Sequence, residues 1–218
     1  MQYNDNYRHK GLRKKLVEDL RAKGIQDDAI LDAIGSIPRH FFLDQAFDDW
    51  AYKDVAFPIE AGQTISQPYT VAIQTWLLQI KKGDKVLEVG TGSGYQACVL
   101  SMLQAKVYTI ERQEKLFRKT SDFLPEIGFN NIRTLFGDGY KGAPRFAPFD
   151  KILITAGAPE IPVDLIQQLR TGGIMVIPFG AGETQEMIRI IKTGENQLKK
   201  EKHGYFRFVP LLKGTNGE

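Results

Sequence analysis

The stretch Val86-Leu87-Glu88-Val89-Gly90-Thr91-Gly92-Ser93-Gly94-Tyr95 constrains this chain more than any other. Val86, Leu87 and Val89 are apolar and favour extended backbone, and Gly83-Asp84 before them is turn chemistry, so the segment opens as a buried strand. It then breaks into alternating glycines, after which residues 96 to 103 read as a short apolar helix. Strand, glycine loop and helix, in that order, place backbone N–H groups and a helix N-terminus against a polar ligand. Glycines suit that task because a Cβ would hold the ligand off the main chain and resist positive φ.

Two ligand classes fit the loop. Gly92-Ser93-Gly94-Tyr95-Gln96-Ala97 matches the G-x-G-x-x-A fingerprint of dinucleotide binding. The glycine run begins earlier, however, at Gly90, and Glu88 lies inside the strand just before it. In that form, E-V-G-T-G-S-G-Y, the stretch resembles the first motif of S-adenosylmethionine-dependent methyltransferases. A second strand, Lys106-Val107-Tyr108-Thr109-Ile110, ends on Glu111, which is 111 − 90 = 21 positions past the first glycine. An acid there suits a ribose diol in either ligand. A tight strand–helix turn with no ligand is the plain alternative.

Composition narrows the partners. A chain of 218 residues is long enough for one domain with a full core, and its net charge of 29 − 26 = +3 is too small to argue for nucleic acid. Basic residues crowd at both ends, Arg8, Lys10, Arg13, Lys14 and Lys15 early and Lys199, Lys200 and Lys202 late, and read as solvated faces. The single cysteine, Cys98, has no internal disulfide partner, and its apolar neighbours make it a small core residue. No apolar run approaches membrane length and the charged N-terminus has no signal-peptide core. The expectation is a cytoplasmic monomer with no membrane partner.

Residues 8 to 24 read as an amphipathic helix with Leu12, Leu16, Val17 and Leu20 on one face and Gly24 as its stop. Asp27 or Asp28 caps a second helix carrying Ile30, Leu31 and Ile34, which Pro38 ends. An irregular aromatic stretch follows, in which His40 is read as structural. Next, Gly62-Gln63-Thr64-Ile65-Ser66-Gln67-Pro68-Tyr69 leads into a helix with Val71, Ile73, Trp76, Leu77 and Ile80. Ser66 is the expected N-cap, with Pro68 tolerated in the first turn. A helix N-terminus bearing a hydroxyl is also a seat for a carboxylate. No G-x-S-x-G elbow surrounds Ser66, which argues against a nucleophile.

Beyond the glycine motif the spacing predicts a helix over 113–126, with Leu116, Phe117 and Leu124, and a strand over 132–136. That strand ends in Gly137-Asp138-Gly139, either a plain turn or a seat for adenine with Asp138 accepting from its amine. A fourth strand over 149–154 runs into Thr155-Ala156-Gly157-Ala158-Pro159, all small, leaving room for a substrate. A helix over 162–169 stops at Gly172-Gly173, and a strand over 174–178 follows. Two closing strands, 186–192 and 204–212, flank Gly194-Glu195-Asn196. The fold class is therefore α/β: a mostly parallel sheet with antiparallel C-terminal strands and an N-terminal helical annex. Residues 1–80 form the annex and 81–218 the cofactor-binding core, within one domain.

G-Q-T-I-S-Q-P, E-V-G-T-G-S-G-Y, G-D-G, T-A-G-A-P-E-I-P, G-G-I-M-V-I-P and F-V-P-L, in that order from about residue 38 to 212, resemble the protein-L-isoaspartate O-methyltransferase family. Two departures are small: Ile59-Glu60-Ala61-Gly62 replaces an earlier glycine, and Gly157 replaces an alanine. The resemblance implies a Rossmann-like methyltransferase fold with a rearranged order of the last strands. It implies S-adenosylmethionine as cofactor, S-adenosylhomocysteine as product, no metal, and isoaspartyl-containing proteins and peptides as substrates. Gly90, Thr91, Gly92, Ser93 and Gly94 would wrap the amino-acid part of the cofactor. Glu111 would bind the ribose with Arg112 beside it, and Asp138 and Gly139 would meet the adenine. Gln63, Thr64 and Ile65 would close over the methionine end, Ser66 would face the acceptor carboxylate as the catalytic serine, and Phe208, Val209 and Pro210 would line the peptide. The rivals are a methyltransferase for a small molecule or RNA, and a non-catalytic binding module. An amino-methylating nucleic-acid enzyme would carry N-P-P-Y where this chain has T-A-G-A-P, and Cys98 is misplaced for a pyrimidine nucleophile.

Overall fold

A computed structural model describes residues 4–217 of the chain. The N-terminal annex begins with α1 (Tyr7–Ala22), capped by Asn6, whose side chain accepts from the His9 N–H. In α2 (Asp28–Ser36) Asp27 caps Ile30. These are the polar N-caps that satisfy otherwise unpaired first-turn donors. His40 is structural as expected: Nδ1 lies 2.7 Å from the Tyr52 hydroxyl, Nε2 lies 3.1 Å from the Asn4 carbonyl, and its ring stacks on His9 at 3.8 Å. Asp5 stands beside this pair but receives two bonds from Arg13, at 3.0 and 2.9 Å. The group knits the annex together.

A short ribbon follows, β1 (Phe57–Pro58) against β2 (Thr64–Ile65), and then α3 (Pro68–Leu78). The main sheet opens with β3 (Lys85–Val89), followed by α4 (Tyr95–Met102), β4 (Lys106–Glu111), α5 (Glu114–Glu126) and β5 (Arg133–Phe136). It continues through β6 (Phe149–Ile154), α6 (Val163–Gln168), β7 (Leu169–Phe179), β8 (Gln185–Gly194) and β9 (Gln197–Phe206). The strand order is β5-β4-β3-β6-β7-β8-β9; the first five run parallel, and β8 and β9 return antiparallel. Central β3 and β6 are almost wholly buried, as parallel strands covered on both faces must be. The last three strands lie side by side in sequence order, so the rearranged order that the resemblance implies is not what the chain adopts. Annex and sheet layer share one apolar cluster, in which Leu16, Leu20, Ile30 and Ile34 join Tyr95, Cys98 and Val99 of α4. Among the described residues no helix is long and apolar enough to cross a membrane.

Two elements differ from the sequence reading. The sixth helix is short, and β7 starts at Leu169 rather than after the glycine pair. Phe149 pairs with Leu169 and Lys151 with Ile174, so Arg170 to Gly173 loop out of register. The glycines accommodate a bulge, not a helix stop. The final strand spans 197–206, not 204–212. Its alternation is masked because it is a sheet edge, and its lysines face water, which blunts edge-to-edge pairing. Residues 207–212 run free of the sheet towards the carboxyl ends of the parallel strands.

Candidate active site

The chain order reverses direction at β3, which has β4 on one side and β6 on the other. Such a switch point opens a crevice beyond the strand carboxyl ends. A cleft lies there, about 770 Å³ with its solvent-open mouth included.

One wall rests on the strand ends. Gly90, Thr91, Gly92 and Ser93 line it after β3, Glu111 and Arg112 after β4, Gly139 after β5, and Thr155 and Ala156 after β6. Gly90 has φ +101°, and a Cβ there would stand 2.5 Å from the Thr155 hydroxyl, which donates to the Val89 and Gly90 carbonyls. The expected display of loop N–H groups towards the ligand is not what the backbone does. The Gly90 and Thr91 N–H groups donate to the Ile110 carbonyl, Gly94 donates to Thr91, and Gly92 donates to the Glu111 carboxylate at 2.9 Å. The other Glu111 oxygen takes the Gln113 N–H, also at 2.9 Å. With those donors engaged, the wall is acidic.

Glu88 adds a second carboxyl group to that wall. It is fully buried yet lines the cleft, with one oxygen accepting from Thr109 at 2.5 Å and the other unpartnered among the described residues. Burial pushes its carboxyl up to about 8, with Glu111 adding to the rise and the Thr109 bond opposing it. The sequence reading noted Glu88 but did not place it in the site. Its signal is a lone acid in an otherwise apolar buried strand, where an unsatisfied polar group needs a reason.

The facing wall is built from Gln63, Thr64, Ile65 and Ser66 on one side and Val209, Pro210, Leu211 and Leu212 on the other. Ser66 is not the N-cap of α3; Gln67 holds that position and caps nothing with its side chain. Pro68 shifts the helix start one residue on, and Asp54 caps it from the annex instead. Its carboxylate accepts from the Tyr69 N–H at 2.7 Å and from the Gln67 amide at 3.1 Å. Ser66 thus stands just ahead of the helix, its carbonyl accepting from Arg39 Nη2 at 2.9 Å.

Of the small residues after β6, Thr155 and Ala156 face the cleft as expected, but the run from Gly157 on does not leave open space. Gly157 donates to the Val209 carbonyl and accepts from the Leu211 N–H, both at 2.8 Å, so the run zips onto the 207–212 segment. Gln185 fixes that segment by accepting from the Phe208 N–H at 2.9 Å, and a Cβ at position 157 would fall 2.9 Å from its side chain.

Three expected site residues lie off the cleft surface. Gly94, at φ +85°, is needed for packing, since a Cβ there would meet Thr120 at 2.9 Å. Phe208 packs against the apolar cluster that contains Leu77 and Val86. The Asp138 carboxylate takes the Tyr140 and Gly214 N–H groups, each at 2.9 Å, closing the turn after β5 and holding the C-terminal segment.

The topology, the glycine loop and the acid ending the second strand together define a Rossmann-like S-adenosylmethionine-dependent methyltransferase fold. Within that class the chain belongs to the protein-L-isoaspartate(D-aspartate) O-methyltransferase family, which matches residues 11–216. It is 57% identical over 212 residues to the protein-L-isoaspartate O-methyltransferase of Christiangramia forsetii, covering 97% of this chain and 99% of that one. The Flavobacterium psychrophilum protein of the same name is 58% identical over the same shares, 97% and 99%. A solved Plasmodium falciparum protein-L-isoaspartate O-methyltransferase, in complex with S-adenosyl-L-homocysteine, superposes with a TM-score of 0.81 at 25% identity, covering 93% of this chain and 99% of that one.

Proposed function

We propose that the two walls divide the family's reaction between them. The enzyme transfers a methyl group from S-adenosylmethionine to the free α-carboxylate of L-isoaspartyl residues in damaged proteins and peptides. The acidic wall would hold the cofactor, with Gln63 to Ile65 closing over its methionine end from the facing wall, and Ser66 with Val209 and Pro210 on that facing wall would hold the acceptor. The observation that carries this division is the pair of carboxylates, Glu88 and Glu111, on the wall of the glycine loop. A dinucleotide's pyrophosphate would meet those acids and a loop in which the Gly90, Thr91, Gly92 and Gly94 N–H groups are already engaged, whereas a ligand bearing an ammonium and a sulfonium finds the Glu111 charge and, once its ammonium draws the proton off Glu88, a second.

When bound, S-adenosylmethionine supplies a methyl group already activated on a positive sulfur. Glu88, with its unpartnered oxygen, would take the ammonium end; Glu111 would take the ribose hydroxyls, with Arg112 beside it. Gly90 to Ser93 would pack along the amino-acid part, Gly139 and the Asp138 turn along the adenine, and Gln63, Thr64 and Ile65 over the methionine end. Ser66 would orient one oxygen of the acceptor carboxylate, with the peptide running along Val209 and Pro210. An α-carboxylate is ionised at neutral pH, so no side chain has to act as a general base. What remains is in-line alignment of oxygen, methyl carbon and sulfur. The methyl ester then closes to a succinimide unaided, the following backbone nitrogen displacing methanol, and water reopens part of the ring as normal aspartate.

The reading extends to one domain acting as a cytoplasmic monomer, with no nucleic-acid or membrane partner. The apolar cluster shared by annex and sheet supports the single domain, and the net charge of +3 the lack of a nucleic-acid partner. Tritiated methyl transfer to an isoaspartyl peptide, with RNA and small carboxylic acids as competing acceptors, tests the activity. The peptide should take the label, and preferential labelling of a competitor would reassign the acceptor.

A further inference from the structure

Arg39 lies in a short 3-10 turn, Arg39–Phe42, directly behind Ser66. Only 1% of it is exposed. Its Nη2 donates to the Ser66 carbonyl, while Nε and Nη1 have no hydrogen-bond partner among the described residues. The guanidinium lies over the Tyr95 ring, 4.7 Å from its centre. Both neighbours, Ser66 and Tyr95, line the cleft. No described carboxylate lies within ion-pairing distance of Arg39. Asp54, whose field reaches it, is already paired with Lys23 and caps α3. A buried cation without a counter-ion is costly to hold, and folds seldom keep one that is unpaired.

We propose that Arg39 is the fixed positive charge that draws the acceptor carboxylate into its seat at Ser66, a positioning residue for substrate binding rather than for the transfer step. The proposal rests on the assignment of Ser66 to that carboxylate. The charge bookkeeping of the reaction gives it a distinctive signature. A negative oxygen and a positive sulfur both become neutral as the methyl group passes, so the carboxylate has lost part of its charge at the transition state. A fixed cation therefore favours the bound substrate at least as much as the transition state. Its contribution belongs in KM, not kcat.

The test compares Arg39→Gln, which removes the charge but keeps an N–H donor for Ser66, with Arg39→Lys, which keeps the charge. Peptide KM, kcat, the Kd for S-adenosylhomocysteine and Tm are measured for each, with Ser66→Ala alongside. Arg39→Gln should raise KM about tenfold or more, with kcat and cofactor-product Kd within about twofold and Tm unchanged or higher. Arg39→Lys should stay within about threefold of the wild-type KM. An α-carboxamide analogue of the peptide, used as an inhibitor, should bind wild type and Arg39→Gln alike. The proposal is overturned by a wild-type KM in Arg39→Gln, by equal loss of the carboxylate and carboxamide peptides, or by a parallel fall of kcat, cofactor affinity and Tm. Failure of both variants to fold would also overturn it, by making Arg39 structural. If Ser66→Ala is silent, the Ser66 assignment itself fails; if Ser66→Ala acts and Arg39→Gln is silent, only the present proposal does.

Discussion

The glycine-loop wall of the cleft stands on the ends of neighbouring strands of one parallel sheet, whereas the Ser66 wall stands on a two-residue strand and an irregular C-terminal segment, both braced from farther along the chain. On the first, β3 is bonded to β4 and β6, and the loop after it is tied to Ile110 and Glu111. On the second, Thr64 and Ile65 pair with Phe57 and Pro58, Arg39 holds the Ser66 carbonyl, Asp54 holds Gln67 and Tyr69 just after it, and residues 207–212 are held by Gln185 and Gly157. The first wall is local geometry repeated in any sheet of this kind. The second is a two-residue ribbon and a few single bonds, so each of its residues can be changed with less harm to the fold. Mutations on the two sides should therefore separate cofactor affinity from peptide turnover.

The largest effect should come from Gly92→Val. The residue has φ +52°, where a β-branched side chain is strained, and its nearest outside neighbour is Ile59 at 3.8 Å, so the new side chain enters the cleft. Calorimetric titration should find no measurable binding of S-adenosylhomocysteine by a folded protein. Gly90→Val is the contrast: Thr155 stands 2.5 Å from the would-be Cβ, and the fold itself should fail. Next, Glu111→Ala should weaken cofactor binding by about 1.5–3 kcal/mol per charged hydrogen bond, tenfold or more, and Glu111→Gln by less.

Across the cleft, Ser66→Ala should lower kcat/KM for the peptide ten- to a hundredfold, about 1.5–3 kcal/mol, with cofactor affinity unchanged. Because Asp54 and not Ser66 caps α3, that mutant should keep its Tm, whereas Asp54→Ala should lose about 1 kcal/mol of stability. A cofactor defect in Ser66→Ala would erase the division between the walls.

The smallest effect concerns Glu88 and pH. Its carboxyl is raised to about 8 in the folded protein from an ordinary value of 4.5. The folded state holds that proton more tightly than the unfolded chain does. The stability it contributes is present below about pH 4.5 and is lost as pH rises through about 8. Glu88→Gln, which stays neutral, should raise the Tm of the ligand-free protein at pH 8–9 by a few degrees, roughly, and change it little near pH 5. Identical Tm profiles would mean that Glu88 is ionised in the ligand-free state.

Legibility in the sequence followed the same divide. Strands β3, β4 and β6, the glycine loop and Glu111 were readable because apolar runs, glycine spacing and the acid after the second strand are local signals. The bulge at Arg170 to Gly173 and the edge strand 197–206 were not, since register and edge position depend on neighbours. Ser66 was placed in the cleft by motif, but its helix-cap role failed because the cap comes from Asp54. Asp54, Gln185 and Arg39 carry no local pattern that ties them to the site; only the folded chain brings them there.

Discrimination between aspartate and isoaspartate is the most direct test of the seat at Ser66. Both present an ionised carboxylate, but the main chain leaves from a different carbon, so a normal aspartyl chain would shift the oxygen by about a bond length. A misplacement of about 1 Å can lower the rate a hundredfold. One peptide is made in three versions, with aspartate, isoaspartate or asparagine at a single position, and methyl transfer and later aspartyl content are followed. The isoaspartyl version alone should gain a methyl group and convert over hours partly to the aspartyl form. Equal methylation of the aspartyl peptide would contradict positional recognition at Ser66.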